Sequence, residues 1–204
     1  MEFIETKEAL RAVYKPAGSL PLEKEMRRLD KHARAFIAAS PFVVIASQDD
    51  AGHGDSTPKG DRPGFVAVLD DTAIAIPDRP GNNRLDTLEN VLANPAVGLL
   101  FLIPGMNETL RINGRARITA DPEMCARFAV NGKPAVSVMI VAIDAVYMHC
   151  AKAFLRSGLW NPESWQPRAA MPTLGEILKD QLALKDSAEE TDRFLDDAYA
   201  KTMW

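Results

Sequence analysis

From Leu22 onward the apolar residues recur as Leu22, Met26, Leu29, Ala33, Phe36 and Ile37, the three-and-four spacing of one helical face. The spacing predicts a helix that Ser19 caps, with Pro21 in its first turn. Ser40-Pro41 ends it, because the residue before a proline is pushed out of the helical region. The period then changes. Phe42 to Ser47 is short, β-branched and apolar, which predicts a buried strand. Phe65 to Leu69 and Thr72 to Pro77 flank Asp70-Asp71 as a tight hairpin, and Val97 to Ile103 and Thr109 to Thr119 form a further pair of strands. In the last of these Leu110, Ile112, Gly114, Ala116 and Ile118 alternate with Arg111, Asn113, Arg115 and Arg117, so one face is buried and the other wet and basic. Ala135 to Met148 has the β-rich composition of a long strand.

Between these runs lie segments of other character. Gln48 to Asp61 is rich in Gly and Asp, which predicts a loop with a Thr57-Pro58-Lys59-Gly60 turn. Leu85, Leu88, Val91 and Leu92 mark a short helix stopped by Asn94-Pro95, and Asp121-Pro122-Glu123 opens another. Near the end, Thr173-Leu174-Gly175-Glu176 matches a capping box before Ile177, Leu178, Leu182 and Leu184, and a polar helix follows from Glu189 to Met203. Successive strands with helices at both ends predict a mainly β fold, an antiparallel barrel with peripheral helices rather than a doubly wound parallel sheet. The barrel with its leader helix takes residues 1–170, and residues 171–204 form a helical appendage.

Composition narrows the classes. The chain has 204 residues, 47% hydrophobic and 25% charged, as an ordinary globular protein does. A net charge of -4 removes the bulk attraction for phosphate backbones, so no nucleic-acid partner is expected. The longest apolar runs are less than half the roughly 20 residues that a membrane helix needs. The N-terminus has no secretory pattern, so the expected location is cytoplasmic. Cys125 and Cys150 form no CxxC pair and are read as buried thiols. His149 and Cys150 are neighbours on a strand and point to opposite faces, so no metal site is expected. No GxSxG elbow, HExxH helix, GxxxxGK[ST] loop or intact GxGxxG occurs; Gly52-His53-Gly54-Asp55-Ser56-Thr57 lacks the third glycine.

Three segments carry candidate chemistry. In Ile76 to Asp86 a strand runs into a Pro/Gly loop, and Asn82, Asn83 and Arg84 precede a helix. Free N–H groups at a helix start and a bidentate guanidinium suit a phosphate; equally, Asn83 can cap the helix with Arg84 in solvent. In Ser56 to Val66, Lys59 and Arg62 sit among prolines and glycines, and Gly60 or Gly64 lets a flat ligand approach, unless the segment is a solvated turn. After the last strand, Lys152 and Arg156 lie near Trp160, where Arg156 and Trp160 either pack on each other or meet a ligand.

These segments, with Asn94 to Phe101 and Leu110 to Arg117, resemble the flavin mononucleotide (FMN)-binding split barrels of the pyridoxamine 5'-phosphate oxidase-related family. The likeness is greatest to the bacterial branch in which Pro-Lys-Gly-Asp and Arg-Pro-Gly-Asn-Asn-Arg both occur, and it covers Phe36 to Trp165. The resemblance implies an antiparallel FMN-binding split β-barrel that forms a homodimer with flavin at the subunit interface. It implies that Pro58, Lys59, Gly60, Phe65 and Val66 run along the isoalloxazine ring, with Lys59 at its edge, and that Asn82, Asn83 and Arg84 hold the phosphate. Lys152 and Arg156 would come from the late segment, of the same or the partner subunit. It further implies an FMN-dependent oxidoreductase acting on a small-molecule substrate, or alternatively a non-catalytic flavin carrier or sensor; no side chain is assigned as a catalytic acid or base. The oxidases read the phosphate of their substrate with an Arg- and Trp-bearing end, whereas this chain continues through Asn161 to Trp165 into acidic helices. Oxidation of vitamin B6 is therefore not the favoured reaction.

Overall fold

A computed structural model describes residues 1–203. Two short exposed helices, α1 (Lys7–Val13) and α2 (Ser19–Glu23), lead to α3 (Lys31–Ala39). There follow β1 (Phe42–Gln48), β2 (Gly54–Gly60), β3 (Ala67–Val68), β4 (Ala73–Asp78), α4 (Asp86–Ala93), β5 (Ala96–Leu102), β6 (Thr109–Thr119), α5 (Pro122–Ala126) and β7 (Ser137–His149). The chain closes with α6 (Lys152–Ser157), α7 (Leu174–Leu182) and α8 (Ala188–Thr202). The seven strands pair antiparallel in the order β2-β1-β5-β6-β7-β4-β3, the split barrel expected of the sequence. Val43, Ile45, Ile74, Ile112, Val141 and Val146 are wholly buried on the inner face, and Ala33, Phe36 and Ile37 of α3 pack into the same core.

Two elements differ from the sequence expectation. The apolar recurrence from Leu22 is not one helix: α2 stops at Glu23, and α3 starts afresh behind Asp30, whose carboxylate accepts the Ala33 N–H at 2.7 Å. Between them Met26 pairs through its backbone with Val146 in both directions, at 3.0 and 2.8 Å. This long-range pairing outweighs the local helical period, so Leu22 is left exposed while Leu29, Ala33, Phe36 and Ile37 are buried. Gly18, not Ser19, is the N-cap of α2.

The segment read as a loop with a Thr57–Gly60 turn is β2, in continuous register with β1 from Phe42↔Gly60 to Gln48↔Gly54. Pro58 fits because β2 is the edge of the sheet, where a missing N–H costs no ladder bond if it faces outward. The opposite edge is unusual too. β3 covers only Ile74 and Ala75 of β4, so the remainder of β4 has no strand beside it there. Side chains span the split instead: Lys59 Nζ lies 2.5 Å from Asp78 Oδ1, and Arg79 Nη2 lies 3.0 Å from Asp61 Oδ2.

The β6–β7 ladder carries one bulge, where Asn113 opposes Ala145 but Gly114 opposes Ile143, leaving Asp144 as the extra residue. A Cβ at Gly114 would lie 2.2 Å from the Ala142 carbonyl oxygen, so only glycine fits. Both C-terminal helices open with full capping boxes, Thr173 with Glu176 and Ser187 with Glu190. They pack on each other at Gly175, whose N–H donates to Asp192 Oδ1 at 2.7 Å. Cys125 is a buried thiol, as expected, but Cys150 is exposed because the chain leaves the sheet at His149. No helix of the described residues is long and apolar enough to cross a membrane.

Candidate functional site

A cavity of about 270 Å³ opens between β2, the end of β4 and the loop leading into α4. Four of the expected site residues, Lys59, Asn82, Asn83 and Arg84, line it together. Strand alternation brings in the first of them. Asp55, Thr57 and Lys59 are half-buried on the side of β2 that faces the cavity, whereas Pro58 and Gly60 are exposed on the other side. Thr87 of α4 donates its hydroxyl to Asp55 Oδ2 at 3.1 Å and so ties the helix start to this strand.

The loop after β4 is shaped by its two asparagines. Asn82 Oδ1 accepts the Arg84 N–H at 3.0 Å, and Asn83 adopts φ +57°, a left-handed conformation that Asn tolerates better than most residues. Asn83 is not the helix cap, which is Leu85, while the Arg84 side chain does stand in solvent, 77% exposed, as the solvated alternative expected. Leu85 is the N-cap of α4 and has no capping side chain, so the first-turn N–H groups are not closed by a side-chain oxygen there.

Charge in the cavity is balanced locally. Asp55, Asp78 and Asp86 line it together with Lys59, Arg79 and Arg84. Arg79 is structural: it reaches Asp61, whose side chain is 5% exposed, and donates from Nη1 to the Phe128 carbonyl at 2.5 Å. Lys59, 28% exposed, is held by Asp78. Arg84 differs, with a side chain 77% exposed and only Nε engaged, 2.5 Å from Asp86 Oδ2. The Asp86 carboxylate raises the Arg84 pKa, so the guanidinium is a permanent cation. Its two Nη groups make no hydrogen bond among the described residues, which leaves a forked donor facing an open cavity beside uncapped N–H groups. That arrangement can take a phosphate or carboxylate.

The other expected residues lie elsewhere. Val66 is 3% exposed and belongs to the core, and Phe65 packs against that core while lining a separate cleft with Arg127 and Phe128. Gly60 sits beside the Phe42 ring, where an added Cβ would come to 3.4 Å. Lys152 and Arg156 are exposed on α6 and do not line the cavity of their own chain. Trp160 stacks on Phe154, with ring centroids 5.8 Å apart, and donates its indole N–H to the Met106 carbonyl. Sequence reading missed Asp55, Asp78, Asp86 and Thr87 as lining residues. Gly54 to Gly60 carries no apolar alternation in sequence, and only the strand spacing of 55, 57 and 59 seen in the structure sets Asp55 beside Lys59.

The sequence model of the family described as pyridoxamine 5'-phosphate oxidase matches residues 29–150. Among curated proteins none matches the chain in sequence. Several solved structures are similar. HupZ of Group A Streptococcus is 16% identical with a TM-score of 0.48, over 58% of this chain and 91% of that one. An FMN-binding protein from Syntrophomonas wolfei is 12% identical with a TM-score of 0.48, over 58% of this chain and 84% of that one. A protein related to general stress protein 26, of the pyridoxinephosphate oxidase family, from Clostridium acetobutylicum is 12% identical with a TM-score of 0.44, over 58% and 87%. The family match spans α3, all seven strands and the cavity between them, and the chain is a member of the pyridoxamine 5'-phosphate oxidase family.

Proposed function

We propose that the protein binds FMN and works as an FMN-dependent oxidoreductase on a small molecule, as a homodimer. One observation carries this reading: Asn82, Asn83, Arg84 and Lys59 converge at the start of α4 in a member of this family. The residues fit a phosphate. A buried dianion without cations or N–H donors would cost several kcal/mol, and here a forked guanidinium, two amides and the uncapped first turn are at hand. The size of the cavity supports the dimer. At about 270 Å³ it falls just under the roughly 300–1,000 Å³ of whole-ligand pockets, so one chain takes the phosphate end and a second copy helps to cover the ring. Lys152 and Arg156, remote from their own cavity, are then free to serve that of the partner.

The bound flavin supplies hydride or electron transfer. The chain's own residues bind and orient it: Arg84 and the asparagines fix the phosphate, and Lys59, steadied by Asp78, keeps positive charge on the cavity wall. Titration with FMN tests the assignment. Arg84→Ala should weaken FMN on the order of tenfold to a hundredfold, the loss of one or two charge-assisted contacts, while leaving the fold and the weaker binding of riboflavin unchanged. Equal FMN affinity in the variant, or riboflavin bound as tightly as FMN, would remove the phosphate site. Reoxidation kinetics with NADH or NADPH and an acceptor then separate an enzyme from a carrier, which exchanges electrons only slowly.

A further inference from the structure

The charges that line the cavity do not cancel one for one. Lys59 is held by Asp78, Arg79 by Asp61 and Arg84 by Asp86. Asp55 is the lining carboxylate left over: among the described residues it pairs with no cation, and its one hydrogen bond is accepted by Oδ2 from the Thr87 hydroxyl at 3.1 Å. Its Oδ1 is an unused acceptor. Asp55 also stands in a row. Asp55, Thr57 and Lys59 lie opposite Ser47, Ile45 and Val43 of β1, all three buried, so the row occupies the inner side of β2 with its members about 7 Å apart along the strand. Ser47 is already spent, accepting from Asn90 Nδ2 at 3.0 Å. The Thr57 hydroxyl lines the cavity and makes no hydrogen bond among the described residues.

A phosphate on the Nη groups of Arg84 has to share a cavity of about 270 Å³ with this carboxylate. The charge of Asp55 reaches the same guanidinium, whose pKa is raised by Asp86 first and by Asp55 as well. Two anions at such close quarters repel each other unless hydrogen-bond donors stand between them, and the protein supplies none to Oδ1. A ligand ammonium would meet Lys59 on the same row. Neutral hydroxyl groups answer both conditions, since they donate to the carboxylate and either donate to or accept from Thr57. We infer that Asp55 and Thr57 read hydroxyl groups on the chain between the phosphate and the ring, so that the site takes a sugar-alcohol phosphate chain in preference to a plain alkyl one. The ribityl chain of FMN is of this kind, and the inference rests on the placing of the FMN phosphate at Arg84.

The probes are FMN and a flavin whose ribityl group is replaced by an unsubstituted five-carbon chain with the same terminal phosphate, each titrated by flavin fluorescence into the full-length protein. FMN should bind at least about tenfold tighter than the alkyl analogue, the worth of one charge-assisted hydrogen bond. In Asp55→Ala this ratio should fall to about threefold or less, because FMN weakens while the analogue holds. Thr57→Val should lower it by a smaller factor. Asp55→Asn, which keeps an oxygen for the Thr87 hydroxyl but loses the charge, should lie between the natural protein and Asp55→Ala, and it decides the matter if Asp55→Ala binds neither flavin. A purely structural role for Asp55 would weaken both flavins alike and leave the ratio unchanged. That result, or equal affinities in the natural protein, would overturn the inference and leave the phosphate site standing; failure of the natural protein to bind FMN would remove both.

Discussion

Three cations line the first cavity, and their surroundings give them different work. Arg79 is fixed to the nearly buried Asp61 and a carbonyl, Lys59 is half-buried against Asp78, and Arg84 reaches solvent with two donors to spare. In sequence they are merely basic residues near prolines and glycines. Arg84 was legible because a cation just before a helix start has a general meaning, whereas the role of Arg79 depends on Asp61, which sits on the other edge of the sheet. His149 offers a pH test at this scale. Its pKa in the folded protein lies below the ordinary 6.5, so the unfolded chain takes up the proton first as the pH drops. The contribution of this group is thus fully retained above about pH 6.5 and lost as the pH falls below it. Urea midpoints measured across this range should fall more steeply for the natural protein than for His149→Gln; parallel curves would show that His149 is not desolvated.

Among the elements, the strands of the central sheet follow from alternation and β-branching, and the short helices from their caps. The two misreadings have physical causes. β2 has the composition of a loop, yet an edge strand tolerates proline and polar residues that a central strand does not. The first helix is interrupted because Met26 joins Val146, a partner 120 positions away in the chain, which no local period can reveal. The split between β2 and β4 is closed by ion pairs rather than by backbone bonds, and one of them is nearly buried. Asp61→Asn would leave Arg79 underpaired and should cost about 2–3 kcal/mol, less than the roughly 3–5 kcal/mol of a wholly buried pair because Arg79 keeps 20% of its side chain exposed. Denaturant unfolding measures it. A change under about 0.5 kcal/mol, typical of a surface pair, would mean that the seam holds by other contacts.

For the molecule as a whole, the net charge of -4 averages two unlike regions. Asp186, Glu189, Glu190, Asp192, Asp196 and Asp197 gather on and beside α8, whereas the exposed row of β6 carries Arg111, Arg115 and Arg117. We place the domain boundary near residue 170, since the family match ends at residue 150 and α7 finds its main packing partner in α8. A chain ending at Ala170 should therefore keep a single cooperative melt within a few degrees of the full-length protein, and loss of that transition would make the helices part of the barrel fold. The central claim, that this family member carries FMN, is tested most directly by the visible absorption spectrum of the purified protein after saturation with FMN and removal of excess. Oxidised-flavin bands in the blue, with FMN released on denaturation at one per chain, are the predicted result; a colourless protein that retains no FMN would contradict it.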